Sequence, residues 1–425
     1  MSISMPDRLL ESKTVLLGVT GGIAAYKAAD LCSKLVQAGA QVEVVMTEAA
    51  ARFVAPLTFS ALTGRPARVD MWETAREDPI PHVHMAAAAD LVIVAPLSAN
   101  TLAKLALGLA DNLLTATLLA SRAPWVLAPA MESHMWASPA VQGNVQLLQA
   151  RGAAIVGPGT GHLASGATGT GRMAEPSEIL HAARMVLARG GPATGRRVLI
   201  TAGGTQEPLD PVRFLTNASS GKMGVALAEV ARDLGAVVTL VHAPLAVPLP
   251  AGVECVAVRT ALEMRDAVMR RLDGTDILVA AAAVADFRPA HAAQQKIKKE
   301  QEKESIDLGL IRNPDILGEV AARRRAGGWP RFVVGFAAET QELLEHASAK
   351  LVAKELDMII ANDITEQGSG FGSDDNRVTI LYRDGLQEQL ELLPKRAVAY
   401  RVLYPALNLL DETPRAAGTM PGSAS

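Results

Sequence analysis

Along most of the chain, apolar runs of strand length alternate with stretches in which apolar residues recur every three or four positions. That alternation predicts parallel strands joined by helical crossovers, because a strand covered on both faces reads as an unbroken apolar run while a crossover helix carries one apolar stripe. Residues 14 to 46 read as strand "TVLLGV", a "TGG" turn, helix "IAAYKAADLCSKLVQAG" with Gly39 near its end, and strand "QVEVVMT". Residues 197 to 242 repeat the scheme with strand "RVLIT", glycine turn "AGGT", a long loop, helix "KMGVALAEVARDLG" and strand "AVVTLVH". Further strands are expected at "DLVIVAP" (90 to 96), "WVLAPAM" (125 to 131), "DILVAAAAVADF" (276 to 287), "RFVVGFAAE" (331 to 339) and "DMIIAND" (357 to 363). Polar residues follow each one, and ligands collect beyond the carboxyl ends of such strands.

The expected fold class is α/β, with two tandem Rossmann-like, doubly wound domains. The glycine-rich stretch "ARGGPATGRR", 188 to 197, breaks the periodicity, so one domain is expected over 1–190 and a second over 191–425, with a disordered tail from 412 to 425. At 425 residues each half is long enough for its own core. A formal charge of −3 and 4% aromatic residues supply neither the basic field nor the stacking surface of a nucleic-acid binder, so small molecules are the expected partners. Two cysteines, Cys32 and Cys255, offer no disulfide framework and no zinc ligand set, which fits a reducing cytoplasm. The start "MSISMPDRLLESK" lacks an apolar signal core, and Asp, Pro or Gly breaks every long apolar run, so no membrane span is expected.

In "GVTGGIA", Gly18, Gly21 and Gly22 miss the dinucleotide spacing G-x-G-x-x-G but still place backbone amides at a helix start. A mononucleotide phosphate suits that turn; so does a tight strand-to-helix turn with no ligand. Thr47, and Ser98, Asn100 and Thr101 in "VAPLSANTLAKLA", sit just past strands and read either as a phosphate and ribityl or ribose binding set or as helix caps. His82 and His84 stand two apart before a strand without a neighbouring carboxylate or cysteine, which favours one catalytic base over a metal pair. A solvated loop histidine is the plainer alternative. In the second half, "LTNASSGKMG" holds Thr216 where a Walker loop needs glycine and Met223 where it needs serine or threonine. Lys296, Lys298 and Lys299 in "KIKKE", and Lys350 and Lys354 on one helix face, are cations either for developing phosphate charge or for solvent.

The stretches "GVTGGIAAYKA", "ADLVIVAPLSANTLAK", "APAMESHMW" and "GTGRMAEP", followed by "TAGGTQEPLDPVRFLTNASSGKMG", "AAAVADFRP", "KIKK", "NPDIL" and "VVGFAAET", carry a resemblance that runs nearly end to end. The chain resembles the bifunctional bacterial coenzyme A enzymes, in which phosphopantothenoylcysteine decarboxylase is fused to phosphopantothenate-cysteine ligase. The resemblance implies a flavodoxin-like flavoprotein domain followed by a ligase domain. For the first half it implies FMN held by Thr20, Gly21, Gly22, Ile23, Thr47, Ser98, Asn100 and Thr101, and His82 as catalytic base beside the substrate contact Met131. Flavin chemistry there oxidises the substrate's cysteine side chain to a thioaldehyde, so that carbon dioxide can leave. For the second half it implies CTP and Mg²⁺ with 4'-phosphopantothenate and cysteine, joined through an acyl cytidylate; the metal ligands stay unassigned. The matching positions are Ala280, Ala281, Ala282 and Asp286, then Pro314, Asp315, Ile316 and Leu317, with Phe336, Lys350 and Lys354. Lys296 matches the residue needed to form the cytidylate, Asn217 the residue that lets the cysteine amine attack it, and Arg213 is a second phosphate or carboxylate contact. A homo-oligomer with flavin pockets between subunits is implied as well.

Two positions depart from the family pattern. Glu132 stands where asparagine is usual, and an ionised carboxylate would repel the substrate's own unless protonated or otherwise directed. Ser165 stands where a flap cysteine is usual, and a hydroxyl is a far weaker acid than a thiol. Gln206, where relatives carry arginine, is expected to be tolerated. The departures leave a rival reading in which the first half is a non-catalytic flavin-binding scaffold for an active ligase; a nicotinamide oxidoreductase is disfavoured by both glycine turns.

Overall fold

The structure, a computed structural model, describes residues 9–72, 80–297, 307–339, 343–363 and 372–412. It divides into two units, Met1–Arg189 and Gly190–Ser425.

The first unit runs β1 (Thr14–Val19), α1 (Ala25–Gln37), β2 (Gln41–Met46), α2 (Glu48–Ala51), α3 (Pro56–Thr63), α4 (Pro81–Ala88), β3 (Leu91–Leu97), α5 (Ala99–Leu107) and α6 (Leu113–Ala120). It continues with β4 (Trp125–Pro129), α7 (Ser133–Ala137), α8 (Pro139–Ala150), β5 (Ala154–Ile155), the hairpin β6 (Gly159–His162) and β7 (Thr168–Arg172), and α9 (Pro176–Leu187). The five parallel strands stand in the order β2-β1-β3-β4-β5, the flavodoxin-like arrangement. Every residue of β3 is buried, as a strand covered on both faces requires. In α1 the buried residues Ala25, Ala28, Leu31, Cys32 and Leu35 form one stripe, and Gly39 at φ +90° turns the chain back into β2. Leu31, Phe59 and Ile179 fill the core on one sheet face, and Leu102, Leu114 and Leu148 that on the other.

The second unit runs β8 (Arg197–Ala202), β9 (Gln206–Pro208), β10 (Phe214–Thr216), α10 (Lys222–Asp233), β11 (Val237–His242), β12 (Glu254–Ala257), α11 (Ala261–Met269), β13 (Ile277–Ala280), β14 (Phe287–Pro289) and β15 (Leu310–Arg312). Then come α12 (Ile316–Gly327), β16 (Phe332–Glu339), α13 (Leu343–Ala353), β17 (Met358–Asp363), β18 (Asp375–Asn376), β19 (Val378–Tyr382), β20 (Gln387–Gln389), β21 (Leu393–Pro394) and α14 (Lys395–Glu412). Its sheet has the order β12-β11-β8-β13-β16-β17-β19-β20; the first six strands are parallel, β19 pairs antiparallel with β17, and β20 antiparallel with β19. Leu227, Val230 and Val402 pack one face, and Met264, Val320 and Leu351 the other.

One expected strand is much shorter than its apolar run. Of 276 to 287 only Ile277–Ala280 pairs in the sheet, because the alanines beyond it meet the glycine turn instead: Ala283 N–H donates to Gly203 O at 2.9 Å, and Thr205 N–H to Ala283 O at 3.3 Å. His82 and His84 lie on α4, not in a loop. Lys298, Lys299 and the tail beyond Glu412 fall outside the described residues. Among the described residues no helix is long and apolar enough to cross a membrane.

Candidate functional site

In the first unit the strand order reverses between β1 and β3, and an open α/β sheet splays into a crevice at such a point. Thr20, 1% exposed, joins the two strand ends: its Oγ1 donates to Pro96 O at 2.8 Å and accepts the Ser98 N–H at 2.8 Å. A cavity of about 660 Å³ lies there, bounded by Gly21, Gly22, Ile23 and Ser98 and by Met131, Glu132 and Ser165. A Cβ on Gly21 would fall 2.5 Å from Ala49 Cβ, so glycine lets the turn approach α2; a Cβ on Gly22 would meet nothing within 4 Å. No side chain caps α1; in its first turn Ala25 N–H donates to Gly22 O and Lys27 N–H to Ala24 O, both at 3.0 Å.

The opposite wall is the β6–β7 hairpin. Its tip closes through Leu163 N–H to Ala167 O at 2.8 Å and Gly166 N–H to Leu163 O at 3.0 Å, with Gly166 at φ +85°. Ser165 sits exposed on that tip. The hairpin is pinned by Met131 N–H donating to Gly171 O at 3.0 Å, and a Cβ on Gly171 would lie 2.1 Å from Met131 O. Glu132 caps α7: His134 N–H donates to its Oε2 at 2.6 Å and Ser133 Oγ to its Oε1 at 2.9 Å. The His134 amide, then the Ser133 hydroxyl, hold this carboxyl below the usual range. It is therefore ionised and turned onto the helix start, the directed alternative for this departure.

Five residues expected here do not line the cavity: Thr20 is buried in the strand junction just described, and four more lie elsewhere. Thr47 caps α2 through Ala50 N–H at 3.2 Å, Thr101 is buried behind its own cap Ser98, and Asn100 is exposed on α5. His82 lies half-buried on the first turn of α4, between Ile80 and Val83, whose apolar side chains are exposed. Neither cysteine is an activated thiol: Cys32 is buried in α1 with its pKa pushed up to about 11 by burial, and burial, then the Glu254 charge, push up that of Cys255 on β12.

In the second unit the order reverses between β8 and β13. Two cavities, about 520 and 630 Å³, adjoin at that point and share Ala282, Val284, Asp286, Phe336 and Lys350. The smaller collects Ala280, Pro314, Asp315, Ile316, Leu317 and Lys354; the larger collects Asn217, Ala281 and the start of α10. Asp315 caps α12 through Gly318 N–H at 3.1 Å and is paired with Lys354. Burial acts to raise its pKa, but the Lys354 ammonium and the Gly318 amide outweigh it and keep the carboxyl below its usual range. Lys350 Nζ donates to Phe336 O at 3.3 Å.

"LTNASSGKMG" forms the end of β10 and a loop that enters α10 at Gly221, φ +75°. Asn217 caps nothing: its Nδ2 donates to Val284 O at 3.1 Å, and its own carbonyl would lie 2.5 Å from a Cβ on Gly204. Gly224 brings α10 onto β8, where a Cβ would fall 2.4 Å from Ala202 Cβ. Arg213 is committed to Asp210, with Nη2 to Oδ2 at 2.6 Å, and donates to Ile297 O at 2.8 Å; Ile297 N–H returns to Asp210 Oδ2 at 3.1 Å. Lys296 is exposed beside that tether and lines neither cavity. Buried polar residues that sequence reasoning missed also reach the larger cavity, namely Asn362, Asn376 and Lys395. A lone lysine after "ELLP" at a helix start was the only signal for the last. Among the described residues no three His, Cys, Asp or Glu gather to hold a metal.

Residues 3–188 match the family described as flavoprotein, and residues 193–409 the family described as DNA/pantothenate metabolism flavoprotein C-terminal domain. The Coenzyme A biosynthesis bifunctional protein CoaBC of Vibrio cholerae is 46% identical over 396 residues, covering 93% of this chain and 98% of that protein. That of Bacillus subtilis is 45% identical over 408 residues, covering 95% and 99%. Among solved structures, the C-terminal domain of a CoaBC protein is 38% identical and covers 52% of this chain and 100% of its own, with a TM-score of 0.44.

Proposed function

The chain belongs to the family of bifunctional coenzyme A biosynthesis proteins and joins a decarboxylase to a ligase; from that premise we propose how each unit does its share. The second unit uses CTP to activate 4'-phosphopantothenate and then condenses it with cysteine. The observation that carries this reading is the shared wall of the two adjoining cavities, which brings Asn217 beside the nucleotide set of Ala280, Pro314 to Leu317, Phe336, Lys350 and Lys354. The nucleoside takes the smaller cavity, and the phosphates point along the larger one toward the amino end of α10, where amides and the helix dipole favour negative charge. The substrate carboxylate oxygen bonds to the α-phosphorus as pyrophosphate leaves. Asn217, held by Val284 O, orients the mixed anhydride while the cysteine amine attacks its carbonyl carbon and CMP departs. Lys296 reaches the activated phosphate from the loop that Asp210 and Arg213 fasten. Magnesium arrives on the nucleotide's phosphates, since that ion prefers phosphate and water ligands and no protein cage stands among the described residues.

The first unit's cavity suits FMN: its volume lies in the range of cofactor sites, Gly22 leaves open space, and the glycine turn at the start of α1, which no side chain caps, faces it with the positive end of the helix dipole. When bound, the flavin would supply the two-electron oxidation that makes the substrate's carboxylate a leaving group, and the return of the hydride. This chain's residues position the rest. The hairpin tip with Ser165 covers the substrate, and the ionised Glu132 has both oxygens directed to the Ser133 hydroxyl and the His134 amide, which lessens its repulsion of the substrate carboxylate. In this reading His82 serves as base in the cavity of a second copy of a homo-oligomer, with the exposed Ile80 and Val83 beside it available to that contact, and the enzyme works in the cytoplasm.

The test is to supply the full-length protein with 4'-phosphopantothenate, CTP, cysteine and Mg²⁺. Release of 4'-phosphopantetheine is the expected result. Accumulation of the cysteine adduct without carbon dioxide would select the scaffold reading, which Ser165 motivates. Absence of pyrophosphate with CTP would end the ligase assignment.

A further inference from the structure

At the end of the larger cavity two lysines open two helices. Lys222 is the first residue of α10 and Lys395 the first of α14, and both line the same space. Lys395 is 7% exposed, and Asn376 at 3% and Asn362 at 8% border the cavity beside it. A strap of chain, Gly372 to Asp375, lies between the ammonium groups. Lys222 Nζ donates to Gly372 O at 2.6 Å and is paired with Asp374 Oδ1 at 2.7 Å, while Lys395 Nζ donates to Ser373 O at 2.6 Å and Asp375 O at 3.0 Å. Burial, and then the charge on Lys222, push the Lys395 ammonium below the usual lysine range. Asp374 and Asp375 oppose that push, and the strap carbonyls accept from both ammonium groups, but they offset only part of the cost of holding two like charges at one cavity. An anion between them offsets the rest, because charge-assisted hydrogen bonds to phosphate are strong in a confined site.

We propose that Lys222 and Lys395 together hold the pyrophosphate that leaves during carboxylate activation, and that Asp374 occupies Lys222 until the nucleotide arrives. The inference rests on the ligase reading above. With the nucleoside in the smaller cavity and the α-phosphorus near Asn217, the outer phosphates extend along the larger cavity, and the most concentrated charge of the reaction meets two cations and a helix start. The chemistry balances without a proton transfer. The carboxylate oxygen forms its bond to the α-phosphorus while the bond from that phosphorus to the bridging oxygen breaks, and the electron pair departs on pyrophosphate. Fixed cations are what such a step needs. The Asp374 side chain is 90% exposed, so its surface pair with Lys222 gives way readily to a multiply charged competitor.

The experiment measures pyrophosphate release by the full-length protein with CTP and 4'-phosphopantothenate, without cysteine, and inhibition by added pyrophosphate. Lys395→Met is expected to slow release about 100-fold and weaken pyrophosphate inhibition about tenfold, with KM for 4'-phosphopantothenate within about twofold. Lys395→Arg should recover part of both, and Asp374→Asn, on an exposed side chain, should tighten pyrophosphate inhibition about threefold by removing the internal competitor. Slower release with unaltered pyrophosphate inhibition in both Lys395→Met and Asp374→Asn would overturn the proposal, since a purely structural lysine gives that pattern. A change confined to KM for 4'-phosphopantothenate would overturn it too, because the pair would then hold the other substrate's phosphate. If the wild-type protein released no pyrophosphate at all, the ligase reading would fail and this inference with it.

Discussion

The two units solve the same topological problem and differ in how much of the answer one chain holds. Each opens a crevice where its strand order reverses, and each sets a glycine turn and a helix start at that crevice. In the second unit, residues from β13, β16, α10, α12 and α13 converge on one continuous cleft. In the first, the cavity gathers the glycine turn, Ser98, Met131, Glu132 and the hairpin tip, yet His82 lies elsewhere and the tip carries a hydroxyl in place of a thiol. Amide formation needs charge neutralised along an extended anion, which one rigid sheet edge can do. Decarboxylation needs a base and an acid that both reach the substrate, and the first unit's own cavity gathers the hairpin tip but not His82.

The sharpest way to break the contrast is Asn217→Asp. A carboxylate there still accepts hydrogen bonds but no longer donates to Val284 O, and it repels the acyl phosphate. Amide product should fall by at least about 100-fold while pyrophosphate is still released, measured side by side. Equal loss of both would remove Asn217 from the second step.

Gly171→Ala probes the other unit. Its Cβ would fall 2.1 Å from Met131 O, a backbone contact that cannot yield without moving the hairpin. Decarboxylation, followed as carbon dioxide release, should drop about 10- to 100-fold with ligation unchanged. Unchanged decarboxylation would show that the hairpin has no part in it.

Much of this contrast was visible in the sequence, for a physical reason. The buried runs of β1 and β3 and the stripe of α1 follow from periodicity alone, and the crevices follow from strands that end in polar residues. The run from 276 to 287 misled because alanine suits strand and loop alike, and only the backbone shows its second half bound to Gly203 and Thr205. Lys395 and Asn376 escaped notice because they join α10 across a long separation, and strands as short as β18 and β21 carry no period. The identity of Glu132 was plain, but the direction of its carboxylate, set by two local donors, was not.

Asp210→Asn should have a smaller effect, about tenfold on pyrophosphate release, by loosening the loop that presents Lys296. Asp210 is buried at 2% exposure, and the Arg213 guanidinium, helped by the amides of Val212, Ile297 and Arg213, keeps its pKa well below the usual carboxylate range. A depressed pKa means that its stabilisation is complete above the unfolded value of about 3.9 and is lost as pH falls through the folded one. The stability gap between wild type and variant, read by denaturant titration, should be constant above about pH 5 and close below about pH 4. A gap that widened in acid would contradict the ion pair.

The mildest change tests whether the first unit lacks only its acid. Ser165→Cys places a thiol of pKa about 8.5 at the hairpin tip, where it can return a proton that serine holds too tightly. Cys32, pushed up to about 11 and buried in α1, cannot do so from where it lies. Carbon dioxide is lost before that proton is delivered, so the gain should appear in 4'-phosphopantetheine release, about two- to fivefold, with ligation unaltered. If release does not rise although the variant binds flavin, another group already serves as the acid. What sets the first unit apart from the second would then be the placement of His82 outside its cavity, which no substitution at the tip can change.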